Sequence, residues 1–121
     1  MPPFERVHRE TYSFTHPVAG GLAQVAKIEA EGLLFGLQVR VANYANAANA
    51  VVSIQDQDGY EIATFPVATK NTNQNLMAAN VYLPIPVDSG CSMVCTLNAA
   101  AGAGANTANT SEVIAWIDGL K

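Results

Sequence analysis

Between Leu33 and Val67 the apolar and polar positions alternate with a period of two. Leu33, Phe35, Leu37, Val39 and Val41 alternate with Leu34, Gly36, Gln38, Arg40 and Ala42. That spacing places one set of side chains on one face of a strand. A gap of small and polar residues follows, Asn43 to Asn49. Ala50, Val52 and Ile54 then alternate with Val51, Ser53 and Gln55. Asp58-Gly59 stands where the chain must reverse, and residues 60–65 run back. Asp-Gly between two apolar runs signals a hairpin, because glycine takes a positive φ without steric cost. The pattern predicts a long strand followed by a hairpin, with the rest of the chain packed around them.

The flanking segments repeat the period. Tyr12, Phe14 and His16 alternate with Thr11, Ser13 and Thr15, giving a strand over 10–16 with one polar face. Pro17 and Gly20-Gly21 end it. Residues 22–30 fit a helical turn or a strand; glycine on both sides and strand neighbours favour the strand. Pro66 ends the return strand of the hairpin or confines it to an edge. Residues 70–80, rich in Asn and Thr, read mostly as loop. Residues 81–87 contain Pro84 and Pro86, which force extended backbone and donate no ladder hydrogen bond, so an edge strand is expected. Asp88-Ser89-Gly90 is a turn.

Cys91, Met93, Cys95 and Leu97 share one face of a further strand. Residues 99–110 are Gly/Ala-rich and read as a flexible loop. Residues 111–119 form the last strand. Apolar residues on both its faces place it between two layers or at an interface. Seven to eight short strands separated by turn signals predict an all-β fold, an antiparallel β-sandwich or jelly-roll-like domain over 10–121. An irregular amino-terminal arm, 1–9, precedes it.

Composition narrows the function. The chain has 121 residues, half of them apolar and only 13% charged. A globular domain usually carries about twice that charged share. The deficit points to a surface covered by a partner or by copies of the chain. The net charge is −4 and the six Lys and Arg residues are scattered. That argues against nucleic acid, which is bound by neutralising phosphates. No apolar stretch reaches the ~18 residues needed to cross a bilayer, and the first residues lack the pattern of a signal peptide. No membrane partner is expected.

Candidate chemistry is sparse. On one strand, Cys91 and Cys95 would lie ~13 Å apart, too far for a disulfide. Without a nearby histidine or further thiol they make a poor zinc site, so two small buried hydrophobes are expected. Residues 56–61, Asp-Gln-Asp-Gly-Tyr-Glu, hint at a calcium loop. With Gly59 in the glycine position, the required acids fall on Ile54 and Phe65, and the match fails. His8 and His16 have no nucleophile or acid at functional spacing. No phosphate-binding glycine loop is present. The reading is a protein that is not an enzyme and holds no cofactor or metal. Tyr82 and Trp116 would suit a sugar-stacking platform, though a lone Trp in an apolar strand is more often core or interface.

The run Ala50-Val-Val-Ser-Ile-Gln-Asp-Gln-Asp-Gly-Tyr-Glu-Ile62 resembles the hairpin of small β-rich virion proteins of tailed bacteriophages. So does the later order of Tyr82-Leu-Pro-x-Pro-Val87, an alternating strand, a Gly/Ala-rich loop and a closing strand. The resemblance spans residues 33–119. Some of these proteins are capsid decoration or cement proteins, which clamp neighbouring shell subunits. The resemblance implies a structural protein on the outer surface of a virion, assembled in the host cytoplasm. Its partners would be the major capsid protein and further copies of itself, and no catalytic residues carry over. Candidate contact segments are 1–16 and 99–112. Candidate interface residues are Phe4, Arg6, His8, Tyr12, Phe14, Tyr82 and Trp116. A carbohydrate-binding module and a tail or baseplate component are the alternatives.

Overall fold

The computed structural model describes residues 7–75, 85–102 and 109–120. These form nine strands: β1 (Val7–Thr15), β2 (Ala23–Lys27), β3 (Glu31–Arg40), β4 (Ala50–Gln55), β5 (Glu61–Thr64), β6 (Asn73–Asn75), β7 (Ile85–Val87), β8 (Ser92–Leu97) and β9 (Thr110–Leu120). Among the described residues no helix is long and apolar enough to cross a membrane.

The topology follows from one hairpin. β4 and β5 pair antiparallel around the Asp56–Tyr60 turn, where Gly59 has φ 84°. The Asp56 carboxylate accepts hydrogen bonds from the backbone N–H groups of Asp58 and Tyr60, both at 2.9 Å. Moving outward from that turn, β3 pairs with β6 and β7, β2 with β8, and β1 with β9. The chain is thus one long antiparallel ribbon bent at Asp58-Gly59. Wrapping the ribbon adds the pairings β3·β9 and β4·β8. Two sheets result: a five-stranded one ordered β1-β9-β3-β6, with β7 also on β3, and a four-stranded one ordered β2-β8-β4-β5. A wrapped ribbon of two antiparallel sheets is a jelly roll, within the all-β sandwich or jelly-roll-like class that the strand pattern predicts.

One core lies between the sheets. Phe14, Leu37, Val39, Val52, Ile54, Met93, Cys95, Leu97, Val113 and Ile117 fill it from alternate positions of facing strands. The central β9 is buried on both faces: Val113, Ala115 and Ile117 look inward, and Ile114 is buried on the outer side.

Several expectations need correction. Among the described residues there are nine strands where seven to eight are expected, because the segment around 73 adds a three-residue strand on β3. The expected loop over 70–80 therefore contains β6 at 73–75. β1 begins at Val7, inside the expected arm; residues 1–6 lie outside the described residues. So do 76–84, most of the expected edge strand, whose described part is β7. Strict alternation puts Leu33 and Phe35 on the core face with Leu37. A β-bulge between Leu34 and Gly36 reverses this: Leu34 is buried while Leu33 is 43% exposed. An extra residue in one strand shifts the face of everything before it. Residues 99–102 are not a free loop. Ala101 is fully buried and accepts a hydrogen bond from Asn46 N–H, and Gly102 N–H donates to Val18 O. Residues 103–108 lie outside the described residues.

Candidate functional site

Reactive side chains converge at one buried place. β1 ends at Thr15, and the next residue, His16, turns into the core beneath the loop that follows β3. That loop looks polar in sequence, yet it carries the buried Tyr44. Ser111 arrives from β9. Ala42 N–H donates to Ser111 Oγ at 2.9 Å, Ser111 Oγ and Tyr44 Oη lie 2.5 Å apart, and Tyr44 Oη lies 3.5 Å from His16 Nδ1. His16 Nε2 lies 3.2 Å from Cys95 O on β8. A carbonyl only accepts, so Nε2 carries a proton, and in the neutral imidazole Nδ1 is then the acceptor. The hydrogen bonds then run one way: Ala42 to Ser111, Ser111 to Tyr44, Tyr44 to His16, His16 to Cys95. The rings of His16 and Tyr44 meet edge to face, with centroids 6.0 Å apart.

Histidine, serine, tyrosine and thiol invite a catalytic reading, and the geometry opposes it. His16, Tyr44, Ser111 and Cys95 are all buried, so no substrate reaches them. His16 hydrogen-bonds Tyr44 and a backbone carbonyl, and in the bonds described it does not touch the serine. Burial pushes the Cys95 thiol up to about 12 and raises Cys91 as well, so neither offers a thiolate at neutral pH. Burial likewise raises Tyr44, against a lowering hydrogen bond from Ser111. The cluster ties the end of β1, in one sheet, to β8 in the other. Ser111→Ala should strand Ala42 N–H and leave the Tyr44 hydroxyl only its longer bond to His16. A loss of about 1–3 kcal/mol in urea unfolding is the expected result; an unchanged midpoint would remove the network from the account.

The candidate interface residues scatter. Tyr12 and Phe14 face inward and belong to the core, so they are not contact surface. Alternation shows that Tyr12 and Phe14 share a face; it does not show that this face is the buried one. Burial, then Glu10 and Glu29 nearby, push the Tyr12 hydroxyl up to about 12. His8 is half-buried and its Nε2–H donates to Gly119 O at 2.6 Å, within the same subunit. Trp116 lies half-buried on the outer face of the five-stranded sheet, opposite Arg9 on β1 and Gly36 on β3. Phe4, Arg6 and Tyr82 lie outside the described residues.

The surface that sequence reasoning missed is the outer face of the four-stranded sheet. Alternation outward from the core puts Ala23, Val25 and Lys27 of β2 on it. Ser92, Val94 and Thr96 of β8, Val51, Ser53 and Gln55 of β4, and Ile62 and Thr64 of β5 complete it. Val25 is 63% exposed and Ile62 44%. Exposed Tyr60 and Val67 flank β5. Lys27 and Glu61 lie in or beside the margin row with Ser92 and Gln55, which leaves the middle of the face uncharged. The five-stranded sheet instead presents Arg9, Arg40, Glu112 and Asp118 outward. The signal was in the sequence: Val25 and Val94 sit on the alternate positions left over once the core set is removed. Among the described residues, no group of three or more His, Cys, Asp or Glu could hold a metal ion.

Comparison with known proteins finds no matching family model and no matching curated protein.

Proposed function

We propose that this chain is a non-enzymatic structural protein of a phage virion, a decoration or cement protein that binds the major capsid protein and bridges its subunits on the outer surface of the head. The observation that carries the reading is the outer face of the four-stranded sheet: rich in β-branched residues, without charge at its centre, and exposing Val25 and Ile62 on its two marginal strands, while Val94 and Ser53 between them are only 5% and 7% exposed. Such a face suits adhesion to another protein surface. Repetition around a symmetric shell turns many weak contacts into firm attachment. The jelly-roll topology fits, since capsid and lectin domains both use it. The sealed His16–Tyr44–Ser111 cluster supports a structural role over a catalytic one.

The test is addition of the purified protein to undecorated phage heads, read by co-sedimentation and by the melting temperature of the shell. The wild-type chain should sediment with heads and raise their melting temperature. The double variant Val25→Glu/Ile62→Glu changes exposed positions only and should bind at least roughly tenfold more weakly with its circular dichroism unchanged. No co-sedimentation of the wild-type chain would overturn the proposal. Binding to a glycan array that disappears in Trp116→Ala would replace it with a carbohydrate-binding module.

A further inference from the structure

β1 differs from every other strand at a sheet margin. β2 has five residues, β5 four, and β6 and β7 three each, with Pro86 in the last. Short strands and proline are the usual means of blunting an edge. β1 has nine residues and no proline. Among the described residues, β9 is its only strand partner.

The ladder shows which backbone groups face outward. In an antiparallel pair, the N–H and C=O of one residue point to the same side and the next residue's point to the other. His16 N–H donates to Asn109 O at 2.9 Å, in step with the β1·β9 register. His8, Glu10, Tyr12 and Phe14 therefore turn their backbones to β9. Val7, Arg9, Thr11, Ser13 and Thr15 turn theirs to the open side. Arg9, Thr11, Ser13 and Thr15 are exposed in side chain as well.

We infer that the occupant of this edge is β1 of a second copy, paired antiparallel across a twofold axis through Thr11. Three features of the strand select itself as partner. A twofold at the midpoint uses the whole length, with Val7 opposite Thr15, Arg9 opposite Ser13, and Thr11 opposite Thr11. Outward-turned residues meet outward-turned residues, so the ladder hydrogen bonds form and the inward side chains of both copies stay on one side of the joined sheet. Charge then discriminates among registers. An axis at Arg9 or Glu10 would set like charges face to face, which is unfavourable. The Thr11 axis places Arg9 against Ser13 and Glu10 against Tyr12. The adjacent Arg9 and Glu10 also cancel, so two chains of net charge −4 meet along a neutral edge. The contact is isologous and closes after two copies. It joins two five-stranded sheets into one and leaves both four-stranded faces free.

The inference deepens the capsid reading by naming the contact through which the chain associates with itself, and the two are tested apart. Sedimentation of the pure protein reads edge pairing without any head present. The wild-type chain should be a dimer that dissociates on dilution. Thr11→Lys sets two ammonium groups against each other at the axis and should weaken dimerisation at least roughly tenfold. Thr11→Pro removes only an outward N–H, where an edge accepts proline, and should give a monomer with unchanged circular dichroism. Residues opposite each other in a hydrogen-bonded pair have Cα atoms about 5.5 Å apart, within disulfide range. Thr11→Cys should therefore form a covalent dimer on mild oxidation, with the native thiols buried and silent. A wild-type monomer at every concentration would overturn the inference. So would a dimer indifferent to Thr11→Lys and Thr11→Pro, or a Thr11→Cys chain that does not cross-link.

Discussion

Phe14→Ala should cost about 3–5 kcal/mol of folding stability, the usual range for emptying a buried aromatic site. The ring is 1% exposed and packs in the core between the sheets. Its removal leaves a hole that neighbours from two hydrogen-bonded sheets cannot easily close. Urea unfolding at neutral pH reads the loss as a lower midpoint. Arg9→Ala, five residues earlier on the exposed side of β1, should stay within about 0.5 kcal/mol. If the two variants lost stability equally, the assigned faces of β1 would be wrong.

Gly119→Ala should be nearly as damaging, at about 2–4 kcal/mol, through crowding and not a cavity. Gly119 stands opposite Gly32 in the β3·β9 ladder. A Cβ on Gly119 would lie 2.6 Å from Gly32 Cα and closer still to Glu31 O. A Cβ on Gly32 would lie 2.8 Å from Gly119 Cα, and Gly32 has φ 151°, where side chains are strained. Both obstacles are backbone, which has no rotamer to give way. Relief requires prising the end of β9 from β3, where Glu31–Leu33 pair with Asp118–Leu120. The His8 bond to Gly119 O would loosen with it. Thermal and urea unfolding of Gly119→Ala check this directly, and a native-like midpoint would show that the two backbones are less close than described.

The sequence carried the strands well because a sheet with one buried face writes its period into the chain. Residues 50–65 illustrate it: alternation, Asp-Gly, alternation, and the hairpin is there. It also carried the shared burial of Cys91, Met93, Cys95 and Leu97. The bulge at Phe35 was invisible, since Leu33-Leu34-Phe35 offers an apolar residue in either register. Tyr44 was hidden for another reason. A small, Asn-rich loop looks solvated until the chain brings His16 and Ser111 to meet it, and those contacts span 28 and 67 residues. No local pattern encodes a partner so remote. The outer face of the four-stranded sheet was legible only by subtraction, after the core was known.

The ribbon topology has a kinetic corollary. The turn at Asp58-Gly59 closes a loop of a few residues, and each later pairing closes a longer one, up to Val7 with Asp118. Closure entropy grows with loop length, so contacts of this kind slow folding to the millisecond-to-second range. Nucleation belongs to the middle of the chain and its two flanks join last. Until they do, β3 lacks its long neighbour β9. A nascent chain in that condition exposes a sticky margin, so the arrival of β9 is also the step that ends the danger of clumping.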